Sequence, residues 1–217
     1  MKILFFGDSI TDAGRNREFP NHMSALGWGF VRIIADRLLR DSCQQYEIIN
    51  RGISGNRIVD LYARLKSDVW NLQPDIISIL IGVNDIWHDI EFNNGVDLER
   101  FENIYRLLIN DTKKALPKAE FILCEPFMLK GDATENTEEI PDRYERFCMV
   151  YKYAEIVKKL ANEFDIPFVS LQEKFTTASI KYNAQDYLSD GVHPHISGAS
   201  LIANEWVNCF KKNFYKD

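Results

Sequence analysis

Short apolar runs recur along the chain and are separated by longer stretches that mix apolar and charged residues. In chain order these runs are Ile3–Phe6, Tyr46–Asn50, Ile76–Ile81, Phe121–Cys124 and Ile166–Val169. A short apolar run with clear bounds is typical of a strand that is buried on both faces of a parallel sheet. The pattern therefore predicts five strands.

The stretches between these runs place apolar residues at helical spacing, with charged residues on the opposite face. The predicted helices are Trp28–Leu39, Ile58–Trp70, Leu98–Ala115 and Tyr144–Phe164, with a last helix from near Ser197 to Phe210. Strands and helices that alternate in this way favour a parallel sheet with helices on both faces and right-handed crossovers. The expected fold is a doubly wound, three-layer α/β/α sandwich with a five-stranded parallel sheet.

Two polar stretches, Asp12–Gly27 and Lys130–Asp142, do not fit this alternation. Both follow predicted strands, so we expect two long loops that overhang the carboxyl edge of the sheet. Loops of this length in a domain are often functional or mobile. No repeat, low-complexity tract or linker divides the chain, and residues 1–217 are predicted to form a single domain.

Composition narrows the class of protein further. The chain has 217 residues, of which 46% are hydrophobic and 27% charged, as in soluble globular proteins. The formal net charge of −6 disfavours a nucleic-acid partner. The sequence shows neither a signal peptide nor an apolar stretch long enough to cross a membrane. We expect a cytoplasmic protein without membrane attachment.

The cysteines agree with a reducing compartment. The four are scattered, with no C-x-x-C pair: Cys43, Cys124, Cys148 and Cys209. Free thiols explain this spacing better than disulfides or a structural zinc site. Because Cys124 lies inside an apolar run, it is predicted to be a core residue.

The first apolar run is followed directly by Gly7, Asp8 and Ser9. In open α/β sheets, ligands and catalytic groups gather beyond the carboxyl ends of the strands, where Ser9 falls. One interpretation is a simple turn in which Asp8 or Ser9 caps the following segment. The other makes Ser9 a nucleophile, which requires a base, an orienting acid and oxyanion donors elsewhere in the chain.

A candidate base precedes the last predicted helix, where Asp190 stands three residues before His193 with Gly191 between them. The carboxylate can fold back onto Nδ1 of the imidazole, which leaves Nε2 free to take a proton from a hydroxyl. The alternative is a turn into the helix with an exposed His193. His193 and His195 lack a third ligand, so no metal and no cofactor is predicted.

Candidate oxyanion donors follow the second and third runs. Asn84 can direct its side-chain amide at a developing negative charge, and the backbone N–H of Gly55 can approach a ligand closely. Either residue could instead belong to an ordinary turn, and Asp85, Gly52 and Ser54 are expected to be turn residues. A phosphate-binding loop of a flavodoxin-like module is a weak alternative, because no suitable glycine-rich motif is present.

The joint placement of these groups carries more weight than any one of them. The carboxyl ends of parallel strands share one edge of a sheet. Ser9, Gly55 and Asn84 follow three strands, and Asp190 and His193 precede the last helix. We therefore expect all five to converge there.

Four blocks of the sequence resemble the SGNH, or GDSL-type, hydrolase superfamily, in family order and over nearly the whole chain. They are Gly7–Ile10, Gly52–Asn56, Gly82–Asp85 and Asp190–Pro194. The resemblance implies a flavodoxin-like fold and a serine hydrolase.

The same resemblance implies a role for each candidate residue. Ser9 would be the nucleophile, His193 the general base and Asp190 its partner, with Asp8 in support. The backbone of Ser9, the backbone of Gly55 and the side chain of Asn84 would form the oxyanion hole.

Within the superfamily, the chain is most similar to intracellular bacterial acetylxylan esterases. The stretches that carry this similarity are Gly7–Arg15, Gly52–Leu65, Pro74–Asp89 and Asp190–Gly198. They imply a small-molecule substrate, an acetyl ester of a carbohydrate such as an acetylated xylo-oligosaccharide. A lysophospholipase, a thioesterase or an arylesterase of the superfamily is an alternative, as is an inactive carbohydrate-binding relative.

Aromatic residues are candidates for stacking on sugar rings. They are Phe19, Trp28, Trp87 and Tyr187. The sequence leaves open whether copies of the chain associate as a homo-oligomer.

Overall fold

A five-stranded parallel sheet lies at the centre of the protein in the computed structural model, which describes residues 1–40 and 45–215. The strands are β1 (Lys2–Gly7), β2 (Glu47–Gly52), β3 (Ile76–Leu80), β4 (Glu120–Cys124) and β5 (Phe168–Val169). Their order across the sheet is β2-β1-β3-β4-β5, and every neighbouring pair is parallel. The predicted sheet is confirmed, with β1 between β2 and β3.

Helices cover both faces of the sheet. They are α1 (Ser9–Asp12), α2 (Phe30–Arg40), α3 (Ile58–Ala63), α4 (Leu65–Asp68), α5 (Val83–Phe92), α6 (Leu98–Ala115), α7 (Arg143–Phe147), α8 (Val150–Glu163), α9 (Gln172–Lys181) and α10 (Ile196–Phe214). Helix α2 packs against α10, and α6 packs against α3 and α8. These two groups form the outer layers of the three-layer sandwich.

The apolar runs are buried as their composition requires. The side chains of Ile3–Phe6 in β1 are fully buried, and β3 is buried along its whole length. Ser78 is a polar residue inside β3, and its hydroxyl accepts a 2.9 Å hydrogen bond from the indole N–H of Trp206 in α10. This bond satisfies a polar group in the core and ties the last helix to the sheet.

The structure corrects several predicted helices. The stretch Ile58–Trp70 is divided into α3, α4 and a 3₁₀ turn, and Tyr144–Phe164 is divided into α7 and α8. Helices α5 and α9 were not predicted. The first turn of α5 contains Asn84 and Asp85, which are polar and yet buried, so the pattern of polar and apolar residues does not show which side of this helix faces the core.

The two polar loops differ from one another. Asp12 ends α1 and Met23–Leu26 forms a 3₁₀ helix, so Asp12–Gly27 is only partly irregular. The stretch Lys130–Asp142 contains neither helix nor strand.

The cysteines and the membrane prediction can be placed for the described residues. Cys124 is buried in the core, as predicted, and Cys148 and Cys209 are free thiols of intermediate exposure. Cys43 lies outside the described residues. Within 1–40 and 45–215, no helix has both the length and the apolar character that crossing a bilayer requires.

Candidate active site

The tight turn after β1 places Ser9 at the start of α1. The carboxylate of Asp8 accepts a 3.0 Å hydrogen bond from the backbone N–H of Ile10 and so caps the helix. Ser9 is partly exposed, whereas Asp8 and Ile10 are buried. The short buried helix therefore holds the Ser9 hydroxyl at the surface of the carboxyl edge of the sheet.

A second turn, just before α10, supplies the candidate base. The carboxylate of Asp190 accepts hydrogen bonds from the backbone N–H groups of Val192 (2.9 Å) and His193 (2.7 Å). Its other oxygen lies 2.7 Å from Nδ1 of His193 and accepts that N–H. Nε2 of the same ring lies 2.9 Å from Oγ of Ser9. The three side chains thus form a continuous hydrogen-bonded series.

Part of the second polar loop holds this turn from behind. The backbone N–H of Leu129 donates to the carbonyl of Gly191 (2.8 Å), and that of Ala133 donates to the carbonyl of Asp190 (2.9 Å). The buried hydroxyl of Thr134 donates to the Leu129 carbonyl (2.8 Å) and accepts the N–H of Gly131 (2.9 Å). These residues support the Asp190 turn through the backbone.

The hydrogen bond between Asp190 and His193 lowers the pKa of the carboxyl group and raises the pKa of the imidazole. Burial would raise the pKa of Asp190, but the bonds from the His193 ring and from the two backbone N–H groups lower it to about 2. The bond to Asp190 raises the pKa of His193 above its ordinary value, and burial opposes that rise only in part. The carboxylate is therefore ionised at neutral pH, and the imidazole is a stronger base than free histidine.

Asp8 has the opposite electrostatic character. Burial raises its pKa to about 7, and the Ile10 N–H and the charge of His193 oppose this rise. The second carboxylate oxygen of Asp8 has no hydrogen-bond partner among the described residues. Protonation of Asp8 at mildly acidic pH therefore removes a buried negative charge that is unfavourable beside the candidate nucleophile.

The loop after β2 is fixed against α1. A Cβ on Gly52 would lie 2.1 Å from the backbone nitrogen of Asp12, so the two segments can approach only because residue 52 is glycine. The Asp12 carboxylate accepts the backbone N–H of Ser54 at 3.2 Å. Gly55 follows with a φ of +80°.

The start of α5, which follows β3, is held against the loop after β2. The side-chain amide of Asn84, in the first turn of α5, donates a 3.1 Å hydrogen bond to the carbonyl of Asn56. The predicted donors Gly55 and Asn84 therefore lie on adjacent segments.

Asp85 is not the turn residue that we predicted. It lies inside α5, is fully buried, and accepts the backbone N–H of Ile58 at 3.0 Å. Burial raises its pKa well above the ordinary value. Asp85 thereby caps α3 and holds the end of the Gly55 loop. An acidic residue shortly after a glycine is a helix-start signal, and this signal could have revealed α5.

The predictions for Gly52 and Ser54 also need correction in detail. Gly52 is the last residue of β2 and pairs with Gly7, so it belongs to the sheet. Ser54 lies in the turn, and its backbone N–H is bound by Asp12. Sequence reasoning missed the supporting role of Asp12, because its partner Ser54 lies 42 positions away. It missed that of Thr134, because the loop that Thr134 holds together meets the Asp190 turn only through long-range backbone bonds.

The aromatic candidates occupy different environments. Trp28 is 80% exposed and Phe19 59% exposed, whereas Trp87 and Tyr187 are partly buried. The indole of Trp87 lies 5.8 Å from the imidazole of His193, measured between ring centroids. Trp87 therefore borders the Ser9–His193 pair. Across the described residues, no group of three His, Cys, Asp or Glu side chains could hold a metal ion.

Comparison with known proteins agrees with this architecture. Residues 5–201 match the model of the GDSL-like lipase/acylhydrolase family. An acetylxylan esterase from Geobacillus stearothermophilus is 34% identical over 213 residues, which cover 95% of this chain and 92% of that protein.

Two crystal structures show the same fold. A protein from Parabacteroides merdae named as a GDSL-like lipase superposes with a TM-score of 0.85 at 39% identity, covering 96% of this chain and 94% of that one. A catalytic mutant of Axe2, an acetylxylan esterase from Geobacillus stearothermophilus, superposes with a TM-score of 0.85 at 30% identity, covering 100% and 96%.

Proposed function

The chain belongs to the GDSL-like lipase/acylhydrolase family and is an ester hydrolase, and we propose that it removes acetyl groups from carbohydrates through an acyl-enzyme. The observation that carries the mechanism is the hydrogen-bonded series Ser9–His193–Asp190 at the carboxyl edge of the sheet. The partly exposed position of Ser9 leaves its hydroxyl open to a substrate.

In the first half of the reaction, Oγ of Ser9 attacks the carbonyl carbon of the ester while Nε2 of His193 takes the hydroxyl proton. The ionised Asp190 holds Nδ1–H and stabilises the imidazolium that forms. The backbone N–H groups of Ser9 and Gly55 and the amide of Asn84 stabilise the oxyanion. The protonated His193 then gives its proton to the leaving alcohol, and the acyl group stays on Ser9.

In the second half, a water molecule attacks the acyl-enzyme while His193 again takes a proton. The tetrahedral intermediate collapses with release of acetate, and the proton returns to Oγ of Ser9. The enzyme ends in its starting state, and no external oxidant, reductant or cofactor enters the balance.

Two observations support a short acyl group on a sugar. The relative that is 34% identical is an acetylxylan esterase. The groups around the candidate donors are polar or aromatic. His88 lies beside Gly55, and Trp87 packs near the ring of His193. Arg57 and Asp60, at the start of α3, form an ion pair. Such a lining suits hydroxyl-rich substrates better than long acyl chains.

The Ser9→Ala variant tests the mechanism. It is expected to lose turnover of p-nitrophenyl acetate while its circular dichroism spectrum and melting temperature stay unchanged. Ser67→Ala is the matched control, because Ser67 is exposed on α4 and its hydroxyl, within the described part of the chain, bonds only the carbonyl of Arg64. A Ser9→Ala variant that keeps the activity of the wild type would rule out Ser9 as the nucleophile.

A substrate series tests the finer proposal. Acetylated xylo-oligosaccharides are expected to give the highest kcat/KM, ahead of acyl thioesters and lysophospholipids. Within p-nitrophenyl esters from acetate to octanoate, activity should be greatest at acetate. A maximum at long chains, or a preference for lysophospholipids, would replace the carbohydrate esterase with a lipase-type activity of the same family.

A further inference from the structure

One face of α5 borders the candidate site over slightly more than one helical turn. Asn84, Trp87 and His88 are spaced i, i+3 and i+4, so their side chains lie on the same side of the helix. Asn84 contacts the Gly55 loop through the carbonyl of Asn56, and Trp87 lies beside the ring of His193. His88 belongs to the same face, and the reaction described above gives it no role.

The position of His88 is defined by Gly55. Nε2 of His88 is the nearest atom to a Cβ built on Gly55, at 3.9 Å. Since N and Cβ of one residue are about 2.5 Å apart, Nε2 of His88 lies within about 6.5 Å of the Gly55 nitrogen. A substrate held by the Gly55 N–H therefore extends within reach of this imidazole.

The ring of His88 is held in place while its nitrogens stay open. Phe92 packs edge-on against it with centroids 5.4 Å apart. Arg57 and Asp60, whose charges act on His88, are hydrogen-bonded to each other at 3.0 Å. Within residues 1–40 and 45–215, neither ring nitrogen of His88 has a hydrogen-bond partner.

The environment also sets the charge of His88. Burial lowers its pKa, the charge of Arg57 lowers it further, and Asp60 opposes this change. The ring is therefore neutral at neutral pH and offers one N–H donor and one nitrogen acceptor. A hydroxyl, which also donates and accepts, is the complementary group, and sugars are rich in hydroxyls.

We propose that His88 is a specificity-determining residue that hydrogen-bonds a hydroxyl of the sugar bearing the acetyl group. This inference rests on the proposed function, because it needs the ester to occupy the Gly55 and Asn84 donors. Binding of the hydroxyl at His88 selects carbohydrate esters over esters of simple alcohols. His88 takes no proton from the reacting atoms.

The experiment compares two substrates in three variants. With acetylated xylo-oligosaccharides, His88→Ala is expected to lower kcat/KM about fivefold to tenfold, since one hydrogen bond is lost. With p-nitrophenyl acetate, which has no hydroxyl, the same variant should stay within about twofold of the wild type. His88→Gln, which keeps a donor and an acceptor, should recover part of the loss. His22→Ala is the matched control, because among the residues that the structure describes the His22 ring bonds only Ser24.

The outcomes separate the role of His88 from the proposed carbohydrate esterase activity. Equal losses with both substrates would overturn the specificity role and make His88 part of the general support of the site. Full activity of His88→Ala on the sugar ester would overturn the proposal and leave the carbohydrate esterase intact. A wild type that hydrolyses p-nitrophenyl acetate but no acetylated sugar would overturn the proposed substrate, and the role of His88 with it.

Discussion

Two turns bring Ser9 and His193 together, and each contains an aspartate in a different setting. In the turn after β1, Asp8 is buried, has one oxygen without a partner, and has a pKa raised to about 7. In the turn before α10, Asp190 is partly exposed, accepts three hydrogen bonds, and has a pKa lowered to about 2. Two carboxyl groups near one imidazole thus have pKa values shifted in opposite directions, because burial dominates at Asp8 and hydrogen bonding dominates at Asp190.

The comparison teaches that position near a reacting group does not set the role of a carboxylate. Asp190 has enough donors to stay ionised at neutral and mildly acidic pH, so its charge can stabilise an imidazolium at His193. Asp8 has one donor, and its ionised form is costly in a buried site. Its value lies in capping α1, which places Ser9.

Asp190→Asn gives the largest expected effect. The Asn amide would face Nδ1 of His193 with a donor and favour the wrong tautomer, so kcat on p-nitrophenyl acetate should fall about 10³–10⁴-fold. The melting temperature should fall by a few degrees, because the low pKa of Asp190 means that the fold stabilises its ionised form, and the side-chain oxygen of Asn keeps only the bonds from the backbone N–H groups. A fall of less than about tenfold would show that the partly exposed turn is not the charge-stabilising one.

Gly52→Ala tests how firmly the buried turn is held. The new Cβ would lie 2.1 Å from the nitrogen of Asp12, a backbone contact that can be relieved only by moving α1 or β2. The free energy of unfolding in urea should fall by about 3 kcal/mol. Ser54→Ala, an exposed change on the same loop, should stay within about 0.5 kcal/mol of the wild type. Equal stability of the two variants would contradict the close packing of the buried turn.

Thr134→Val tests how firmly the turn before α10 is held. The substitution keeps the shape of the side chain but removes the hydroxyl that accepts the buried N–H of Gly131. Urea unfolding should show a loss of about 1–2 kcal/mol, and kcat should fall severalfold because Asp190 is less firmly supported. Thr137→Val, at an exposed position of the same loop, is the control. An unchanged kcat would mean that the Asp190 turn holds its shape without this loop.

Asp8→Asn gives the smallest expected effect on activity. The ionised Asp8 raises the pKa of His193, so its removal lowers that pKa. The neutral imidazole is the active base above its pKa, and the acidic limb of the kcat/KM profile should therefore move to lower pH. We expect a shift of less than about one pH unit, since Asp190 remains. A shift to higher pH would contradict the assigned sign.

The same variant has a signature in stability. The pKa of Asp8 is 3.8 in the unfolded reference and about 7 in the fold, so the folded protein binds more protons between these values. Its contribution to stability is therefore present at low pH and is lost as pH rises through about 7. Asp8→Asn should flatten this dependence, which urea unfolding at about pH 5 and about pH 8 would measure. An unaltered slope would show that Asp8 stays ionised throughout.

The centre of the sheet was predictable from sequence because β1, β3 and β4 are buried almost along their whole length, whereas the edge strand β2 is more exposed. Runs such as Ile76–Ile81 have no polar face to confuse the pattern. Helix α5 was not predictable by the same means, since Asn84 and Asp85 are polar and yet buried. Their burial depends on Asn56 and Ile58, which lie nearly thirty residues away.

In the candidate site, too, some residues were predictable from sequence and others were not. The residues that face a substrate follow strand ends or stand three apart, as Asp190 and His193 do, and local spacing shows them. The residues that hold them are specified by long-range contacts. The backbone N–H groups of Leu129 and Ala133 bond the carbonyls of Gly191 and Asp190 across more than fifty positions. The Asp12 carboxylate accepts the backbone N–H of Ser54 from 42 positions away.

The bond between Ser9 and His193 joins positions 184 apart. During synthesis the first of these residues leaves the ribosome long before the second, and contacts of such separation form late in folding. Under the proposed mechanism, hydrolysis of a chromogenic ester therefore reports that synthesis has passed His193 and that the turn before α10 has folded onto the sheet. A fragment that ends before Asp190 keeps all five strand segments but lacks the candidate base, and it is expected to be silent in that assay.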